Sequence, residues 1–304
     1  MKLERARVMV SHSDHGMVQD DTGCLRTFRH KRNLARPLPG DLIDVDDQGQ
    51  VCALHPRQST FGRGDHKGRF KPTAANIDQL LIVIAPDPAP SIDLLTRYLT
   101  MAELGGIEAT IVINKSDLGA PDQAPFTHLD ALQTLGYRHH WVSSQNSDSL
   151  RPLHAHIQDR MSVLAGQSGV GKSSLLNAFI PNLDVLTNSL SEATGKGKHT
   201  TTTTTLYPLP QGGHLADSPG VWEYGLWSVD SQALAHTFVD FRPFLGSCRF
   251  RDCTHHHEPG CAVIQAVADG NIEAFRLDAW HRLLKEQRRY TPTRTHQGKD
   301  SPLA

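Results

Sequence analysis

The chain has 304 residues, 38% of them hydrophobic, and its 31 basic side chains nearly balance 32 acidic ones to leave a formal net charge of −1. This length accommodates two or three domains, and no stretch approaches the roughly 18–20 consecutive apolar residues that cross a bilayer. The N-terminus opens on charged residues with no apolar segment behind them, so we expect a cytoplasmic protein without a secretory leader.

The first part of the chain alternates short apolar runs with turn sequences. The runs cover residues 7–10, 42–45 and 51–54, and the turns lie at residues 39–41 and 46–49. Several short strands at this spacing predict a small β-barrel over residues 1–72, the alternative being an irregular extension. A basic, glycine-rich stretch at residues 62–71 predicts a loop or linker that Pro72 ends.

From residue 77 the pattern is that of an α/β domain. The continuous apolar run at residues 80–85 is typical of a strand buried on both faces, and Ser91 caps a helical pattern that closes at Gly105 and Gly106. Further strands at residues 110–113, 140–142 and 162–165, with a helix near residues 128–135, predict a mainly parallel, doubly wound sheet over residues 73–228.

The C-terminal part is predicted to be helical. Candidate helices cover residues 231–241, 262–268 and 272–289, with a cysteine cluster between the first two, and residues 291–304 form a polar tail that we expect to be disordered. We therefore predict a third domain over residues 229–304.

The strongest motif is G-x-x-x-x-G-K-S at residues 166–173, which follows a predicted buried strand and precedes a helical run. That context is the one in which glycines let backbone N–H groups turn around phosphate oxygens at a helix N-terminus. Lys172 would reach the β- and γ-phosphates, and the Ser173 hydroxyl would hold Mg²⁺. A chance glycine-rich turn is the alternative, and the position after a strand argues against it.

A second motif, N-K-x-D at residues 114–117, ends the strand at residues 110–113. The Asp117 carboxylate suits guanine, because it can accept from both N1–H and the N2 amino group, two donors that adenine does not present together. Asn114 would tie this loop to the phosphate loop, and the Lys115 stem would cover the base. Alone the motif is a moderate signal, with a surface loop as the alternative. Together with the phosphate loop it predicts guanine specificity.

The loop at residues 143–145 ends the next strand and is positioned to bring a backbone N–H to guanine O6. The predicted GTP-binding residues, with the switch residue Gly220 described below, are Asn114, Lys115, Ser116, Asp117, Ser143, Ser144, Gly166, Gln167, Ser168, Gly169, Val170, Gly171, Lys172, Ser173, Ser174 and Gly220.

The two motifs resemble those of P-loop GTPases, but their order is reversed, since N-K-x-D precedes the phosphate loop. This rotated order resembles that of the circularly permuted GTPases. A D-x-x-G switch fits at residues 217–220, where Asp217 would hold Mg²⁺ through a water and Gly220 N–H would sense the γ-phosphate. The pattern also occurs at Asp20, Asp46 and Asp65, but only Asp217 ends an apolar strand downstream of the phosphate loop.

Residues 195–205 combine a Gly/Lys-rich lead-in with a threonine run. One threonine, for which we select Thr201, would complete Mg²⁺ coordination in a loop that phosphate orders; an extended edge strand is compatible with the same run. The position after D-x-x-G, where many GTPases carry a water-orienting Gln, holds Val221, which cannot perform that role. His199, one of 18 histidines, is the catalytic candidate, and a surface-loop histidine is the alternative.

Three cysteines and a histidine cluster downstream in a Cys-x₄-Cys-x-His-x₅-Cys pattern formed by Cys248, Cys253, His255 and Cys261. Three thiolates and one imidazole are a tetrahedral zinc set, and four protein ligands leave no open position, so we expect a structural Zn²⁺. His256 and His257 compete with His255 as the fourth ligand. Unligated cysteines are the remaining alternative.

Taken together, these motifs resemble the RsgA (YjeQ) family of ribosome small-subunit-dependent GTPases over nearly the whole chain. The resemblance rests on the predicted barrel, residues 74–79, both nucleotide motifs, residues 195–202, the D-x-x-G switch with Val221 and the cysteine spacing. It implies an N-terminal OB-fold, a circularly permuted GTPase domain and a C-terminal zinc domain. It also implies a role in late maturation of the small (30S) subunit, with GTP hydrolysis stimulated by that subunit and driving release.

Two basic sets are candidate rRNA contacts, or else ordinary solvated charge. They are Arg63, Lys67, Arg69 and Lys71 around Phe70, and Lys285, Arg288, Arg289 and Arg294. We expect a monomer that binds GTP, GDP, Mg²⁺ and the subunit and has no membrane contact. The rival functions are a P-loop ATPase or kinase and an RNA-binding chaperone whose nucleotide is only structural.

Overall fold

The computed structural model describes residues 3–31, 34–192, 204–217 and 225–288. Its strands are β1 (Glu4–Ser11), β2 (His15–Asp20), β3 (Leu25–Arg29), β4 (Leu42–Val45), β5 (Val51–Leu54), β6 (Thr60–Gly64), β7 (Phe70–Ala75), β8 (Gln79–Ile84), β9 (Glu108–Ile113), β10 (Arg138–Trp141), β11 (Met161–Ala165), β12 (Thr205–Pro208) and β13 (His214–Asp217). Its α-helices are α1 (Ile92–Gly105), α2 (Leu129–Thr134), α3 (Ser147–Ile157), α4 (Lys172–Phe179), α5 (Leu183–Glu192), α6 (Ser231–His236), α7 (Ala262–Ala268) and α8 (Ala274–Gln287).

The first five strands form a small antiparallel sheet that curls on itself. β1 pairs with both β2 and β4, β2 pairs with β3, and β4 pairs with β5. A parallel bridge between Arg29 and Gln50 brings the end of β3 beside the start of β5. Side chains from all five strands, among them Val8, Phe28 and Ile43, make a separate apolar core inside this ring.

The glycine-rich stretch at residues 62–71 is not a linker. It lies in the antiparallel hairpin β6–β7, with Gly62 opposite Pro72 and Gly64 opposite Phe70. Glycine is required for close packing here, because a Cβ on Gly62 would lie 2.4 Å from the Lys71 carbonyl oxygen. Pro72 is tolerated because this two-stranded ribbon leaves it on an edge. The composition of residues 62–71 predicted a loop or linker, whereas in the structure these residues form part of a β-hairpin.

The central sheet has the order β10-β9-β8-β11-β13-β12 and is parallel except for β12, which runs antiparallel to β13. All six residues of β8 are buried, which accounts for the continuous apolar run. One residue pair, Val10 and Thr205, joins β1 to β12 and so connects this sheet to the N-terminal strands. The predicted mainly parallel sheet is therefore confirmed, with one antiparallel edge strand.

Helix α1 shows how local sequence sets the element boundaries. The Ser91 hydroxyl accepts from Leu94 N–H at 3.1 Å, and Gly106 ends the helix in the left-handed conformation at φ 62°. Two other predictions were too long, because α6 stops at His236 rather than residue 241 and α8 covers Ala274–Gln287 rather than residues 272–289. Helices α3 and α5 were not predicted at all.

The C-terminal helices pack against α1 of the sheet domain. Arg97 pairs with Glu286 at 2.9 Å, and Arg282 pairs with Asp93. Inside this part of the molecule, the Arg276 guanidinium bonds both carboxylate oxygens of Asp240 at 2.8 and 2.9 Å, with both side chains almost fully buried. The apolar core runs without interruption from the sheet to Trp280. Among the described residues, no helix combines the length and apolarity needed to cross a membrane.

Candidate active site and metal centre

The nucleotide motifs meet at the carboxyl edge of the parallel sheet. Asn114 follows β9, Gly166 follows β11, and Asp217 ends β13. β11 and β13 are adjacent, with Leu164 opposite Asp217, so this carboxylate lies beside the start of the phosphate loop. Parallel strands present all their carboxyl ends on one side, which is where open α/β sheets bind ligands.

The phosphate loop depends on glycine at two points. A Cβ on Gly166 would lie 2.2 Å from the Val83 carbonyl oxygen, and Gly171, at φ 91°, directly precedes α4. Lys172 folds back over the loop and donates to the carbonyl oxygens of Gly166 and Gln167 at 2.7 and 2.8 Å. The Ser173 side chain is exposed toward solvent. The loop thus has an ammonium group across it and a hydroxyl at its helical end.

The side chain of Asn114 is fully buried and hydrogen-bonds to two other loops, so it connects three loops of the site. Its amide nitrogen donates to the Val170 carbonyl oxygen at 3.0 Å, and its amide oxygen accepts from Ser144 N–H at 3.1 Å. The side chain therefore links the N-K-x-D loop to the phosphate loop, as the sequence predicted, and also to the loop after β10. In that last loop Ser143 N–H donates to the Ser149 hydroxyl at 2.9 Å.

The rest of the N-K-x-D loop presents its polar atoms to the same edge. Lys115 adopts the left-handed conformation at φ 59°, and Ser116 N–H donates to the Val142 carbonyl oxygen at 3.0 Å. These constraints hold the loop so that the Asp117 carboxylate is exposed. A carboxylate on a loop whose backbone is fixed in this way is available to the edge of a planar base.

The segment that follows β8 also belongs to this site, and the sequence reasoning missed it. Lys115 Nζ donates to the Asp87 carbonyl oxygen at 2.7 Å, and Gln167 Nε2 donates to the Pro88 carbonyl oxygen at 2.8 Å. The sequence feature that could have identified this segment is its position at the carboxyl end of a central buried strand. Main-chain carbonyls there orient both motifs without any motif of their own.

Burial shifts the pKa values of two charged groups at this edge, Asp217 and Lys172. It raises the pKa of Asp217, which the Lys172 ammonium lowers again in part, and it lowers the pKa of Lys172, which the Asp217 carboxylate raises in part. Each group therefore favours the charged form of the other. A divalent cation near Asp217 would act in the same direction as Lys172.

Three predicted site residues, His199, Thr201 and Gly220, lie outside the described residues, as does the tail at residues 291–304. The other D-x-x-G matches, which begin at Asp20, Asp46 and Asp65, occur in turns of the chain. Asp20, Asp46 and Asp65 each accept two backbone N–H bonds from residues two and four positions ahead. Asp20 ends β2, Asp46 lies in the turn between β4 and β5, and Asp65 lies in the turn of the β6–β7 hairpin.

We expect Gly171→Ala to weaken nucleotide binding more than Gly169→Ala does, by about tenfold. Both positions have positive φ, so both variants carry about 1–2 kcal/mol of backbone strain. Only at Gly171 would the new Cβ lie 2.2 Å from Asn114 Nδ2, displacing the amide that bonds Val170; at Gly169 its nearest neighbour is Pro88 at 3.5 Å. Titration with fluorescent GDP measures the difference, and equal losses would show that Asn114 does not support the loop.

The metal-binding prediction corresponds to a compact group of side chains. One ligand atom from each of Cys248, Cys253, His255 and Cys261 lies within 4.8 Å of the others. His255 Nδ1 is 3.6 Å from Cys248 Sγ and 3.4 Å from Cys261 Sγ, and those two sulfur atoms are 3.9 Å apart. Zn–S bonds of about 2.3 Å and Zn–N bonds of about 2.0 Å give tetrahedral edges of about 3.5–3.8 Å. The three measured distances are close to these edges, so the group is able to hold a tetrahedrally coordinated metal ion.

The surrounding contacts identify His255 as the fourth member of the group. It is buried, and its carbonyl oxygen accepts from His281 Nε2 at 3.0 Å. His256 and His257 are exposed and direct their Nδ1 atoms toward each other at 2.7 Å. The Glu258 carboxylate accepts from the backbone of His256 and His257 and from Thr254. Partial burial acts to raise the pKa of Glu258, yet these hydrogen bonds outweigh it and lower that pKa well below its ordinary value.

Comparison with known proteins identifies the family to which this chain is related. The sequence profile of the RsgA GTPase family matches residues 54–227. The chain belongs to the RsgA GTPase family. A relative from Chromohalobacter salexigens, named small ribosomal subunit biogenesis GTPase RsgA, is 45% identical over 88% of this chain and 80% of its own length. A relative of the same name from Klebsiella pneumoniae is 42% identical over 89% of this chain and 81% of its own length.

Solved structures agree with this family assignment. YjeQ from Thermotoga maritima superposes with a TM-score of 0.74 at 28% identity and covers 94% of this chain and 99% of its own. YloQ, described as a circularly permuted GTPase, superposes with a TM-score of 0.72 at 28% identity over 96% and 97% of the two chains. The rotated motif order therefore reflects the circularly permuted GTPase fold. As a member of this family, the protein is a GTP hydrolase.

Proposed function

We propose that this GTPase assists late maturation of the small (30S) ribosomal subunit, and that the subunit stimulates GTP hydrolysis, which drives release. The observation that carries the proposal is the set of permuted nucleotide motifs at one sheet edge, in a chain that also holds a Cys₃His group. Relatives with the same motif order are named for small-subunit biogenesis. The motif geometry supports the GTPase half of the proposal, and those names support the ribosomal half.

In the proposed complex the loop at residues 166–174 wraps the phosphates and Lys172 exchanges its two loop carbonyls for phosphate oxygens. Asp117 reads the guanine N1–H and N2 amino group, and the Lys115 stem covers the base. Since Ser143 and Ser144 use their N–H groups inside the protein, we propose that the next amide, that of Gln145, donates to guanine O6. Gly220 would sense the γ-phosphate.

Two metals belong to this proposal. Mg²⁺ would be held by Ser173 and Thr201 and, through a water, by Asp217, and it would neutralise charge on the β- and γ-phosphates. The Cys₃His group would hold one structural Zn²⁺, because three thiolates and an imidazole match the softness and the four-coordinate geometry that zinc prefers.

We propose three domains, at residues 1–72, 73–228 and 229–304, in a cytoplasmic monomer. The strand pairing around the first ring, β1-β2-β3-β5-β4-β1 with a parallel contact between β3 and β5, supports an OB-fold that contacts rRNA. The basic hairpin at residues 62–71 projects Lys67, Arg69 and Lys71 to solvent and supports the same contact.

The decisive experiment is turnover at saturating GTP with and without purified small subunits. We expect slow hydrolysis by the free protein and strong stimulation by subunits, because Val221 cannot orient water and another group must complete the site. His199→Ala is expected to lose most of the stimulated rate, on the order of 10²-fold or more, while GTP affinity and co-sedimentation with subunits stay unchanged.

The outcomes separate the alternatives. If His199→Ala is stimulated as strongly as the parent, another group orients the water. If the parent is not stimulated, the ribosomal proposal fails, and a chaperone with a structural nucleotide remains. Competition by ATP as strong as that by GTP would instead favour an ATPase or kinase.

A further inference from the structure

The loop between two metal ligands holds an aromatic ring in solvent. Phe250 lies between Cys248 and Cys253, and 42% of its surface is exposed. Its carbonyl oxygen accepts from Cys253 N–H at 3.3 Å, and Arg249 N–H donates to the Gly260 carbonyl oxygen at 3.0 Å. The ring is therefore presented on a short loop that is tied at both ends, so little conformational freedom remains to be lost when a ligand packs on it.

The charges next to this ring are mostly positive. The Arg249 guanidinium lies 5.6 Å from the ring centroid, and Arg251, on the other side of Phe250 in the chain, is exposed. Asp252 is the acidic side chain of the loop. Two arginines that flank one exposed aromatic ring are the side chains that contact both the phosphate and the base of a nucleotide.

A cavity of about 360 Å³ opens beside the ring. Its lining includes Phe250, Arg251 and three of the four metal ligands, together with residues of α6 and the two residues that follow the short 3-10 turn at Arg242–Phe244. A metal ion fills only a small part of such a volume, and sites for small ligands begin at about 300 Å³. The remaining space is bounded by the Phe250 ring, apolar groups and a few polar groups.

We propose that this cavity, here called the knuckle pocket, takes one unpaired base of an RNA strand, which stacks on Phe250 while Arg249 and Arg251 contact the adjoining phosphates. The inference rests on the proposed function and adds a specific subsite to it. A stacked base matches the flat ring, and the arginines match its phosphates. An apolar peptide side chain would use neither arginine, whereas the phosphates of RNA would use both, so the charge pattern favours RNA.

The test uses the full-length, zinc-loaded protein, a fluorescein-labelled single-stranded RNA of twelve nucleotides, and purified small subunits. Fluorescence anisotropy with the RNA is expected to show that Phe250→Ala weakens binding by about 5- to 150-fold, the equivalent of about 1–3 kcal/mol for one stacked base. Phe250→Trp should bind like the parent, and Phe250→Leu should bind like the Ala variant, because leucine is apolar but has no aromatic face.

Two controls make the result specific. Val185→Ala removes an exposed apolar side chain from α5 and should change nothing. Metal analysis must give the same zinc content for every variant, so that a loss of affinity is not a loss of the loop. Ultraviolet cross-linking of the parent to the RNA should place a cross-link at residue 250.

Several results would overturn the proposal. Failure of the parent to bind the RNA would do so, as would equal affinity of the parent and Phe250→Ala. Affinity retained by Phe250→Leu would show that stacking on an aromatic face does not hold the RNA. If subunits fail to bind or stimulate the parent while RNA binding still depends on Phe250, the ribosomal proposal fails and the knuckle pocket stands.

Discussion

Asp117→Asn is expected to weaken GTP and GDP binding by roughly 10²- to 10⁴-fold and to admit xanthine nucleotides. The estimate corresponds to two hydrogen bonds to a charged acceptor, each contributing about 1.5–3 kcal/mol. Xanthine carries a carbonyl group where guanine has its amino group, so the Asn amide can donate to it and still accept from N1–H. Titration with fluorescent GDP and xanthosine diphosphate measures both halves of the exchange.

Asp122→Asn is the matched control, since it removes the same charge from an exposed aspartate a few residues further along the chain. It should leave both affinities unchanged, because Asp122 lies outside the motif that Asn114 and Ser116 fix to the nucleotide edge. GTP affinity equal to that of the parent in Asp117→Asn would remove this residue from base recognition.

Loss of the metal should have the second large effect, on the C-terminal module. Structural zinc contributes about 10–16 kcal/mol of apparent binding free energy near neutral pH, and in small modules that binding energy stabilises the fold. We expect Cys253→Ser to lose the proposed zinc ion, and we expect residues 229–288 to become sensitive to protease. Nucleotide affinity should change little, since the contacts described among the nucleotide loops all involve residues before 218.

Cys52→Ser provides the comparison, because Cys52 is an exposed thiol of β5 outside the Cys₃His group. It should keep one zinc and the protease resistance of the parent. A freshly purified parent without zinc would contradict the structural role, and Cys253→Ser with full zinc content would exclude Cys253 from the ligand set. Because the apolar core is continuous with the sheet, we also expect a lower overall melting temperature for Cys253→Ser.

The chain beyond the D-x-x-G switch is attached to two neighbouring elements. Gly64 N–H donates to the Gly225 carbonyl oxygen at 3.1 Å, and Ser228 N–H donates to the Gly68 carbonyl oxygen at 2.7 Å, so both bonds join this segment to the β6–β7 hairpin. The next residue, Val229, donates its N–H to Gln287 of α8 at 3.0 Å. We propose that loss of the γ-phosphate at the switch moves the C-terminal module and loosens it from rRNA, and these contacts supply the physical connection.

Local signals determined much of this molecule without tertiary information. The continuous apolar run predicted β8, and Ser91 and Gly106 set the ends of α1, because capping depends on side chains only a few residues away. The phosphate loop and the N-K-x-D motif could also be identified from the sequence, since each places its functional atoms within a single short loop. The cysteine spacing likewise indicated a metal group, because all four ligands fall within one short segment of the chain.

The tertiary structure decided what depends on residues distant in the chain. It made a hairpin of residues 62–71 because close backbone packing, which composition does not reveal, requires the glycines there. It brought Asp87 and Pro88 to the nucleotide edge through their carbonyl groups, which any residue type possesses and no motif marks. It selected His255 over its two neighbours through burial against the other ligands. Three adjacent histidines have the same chemistry, and only their three-dimensional positions distinguish them.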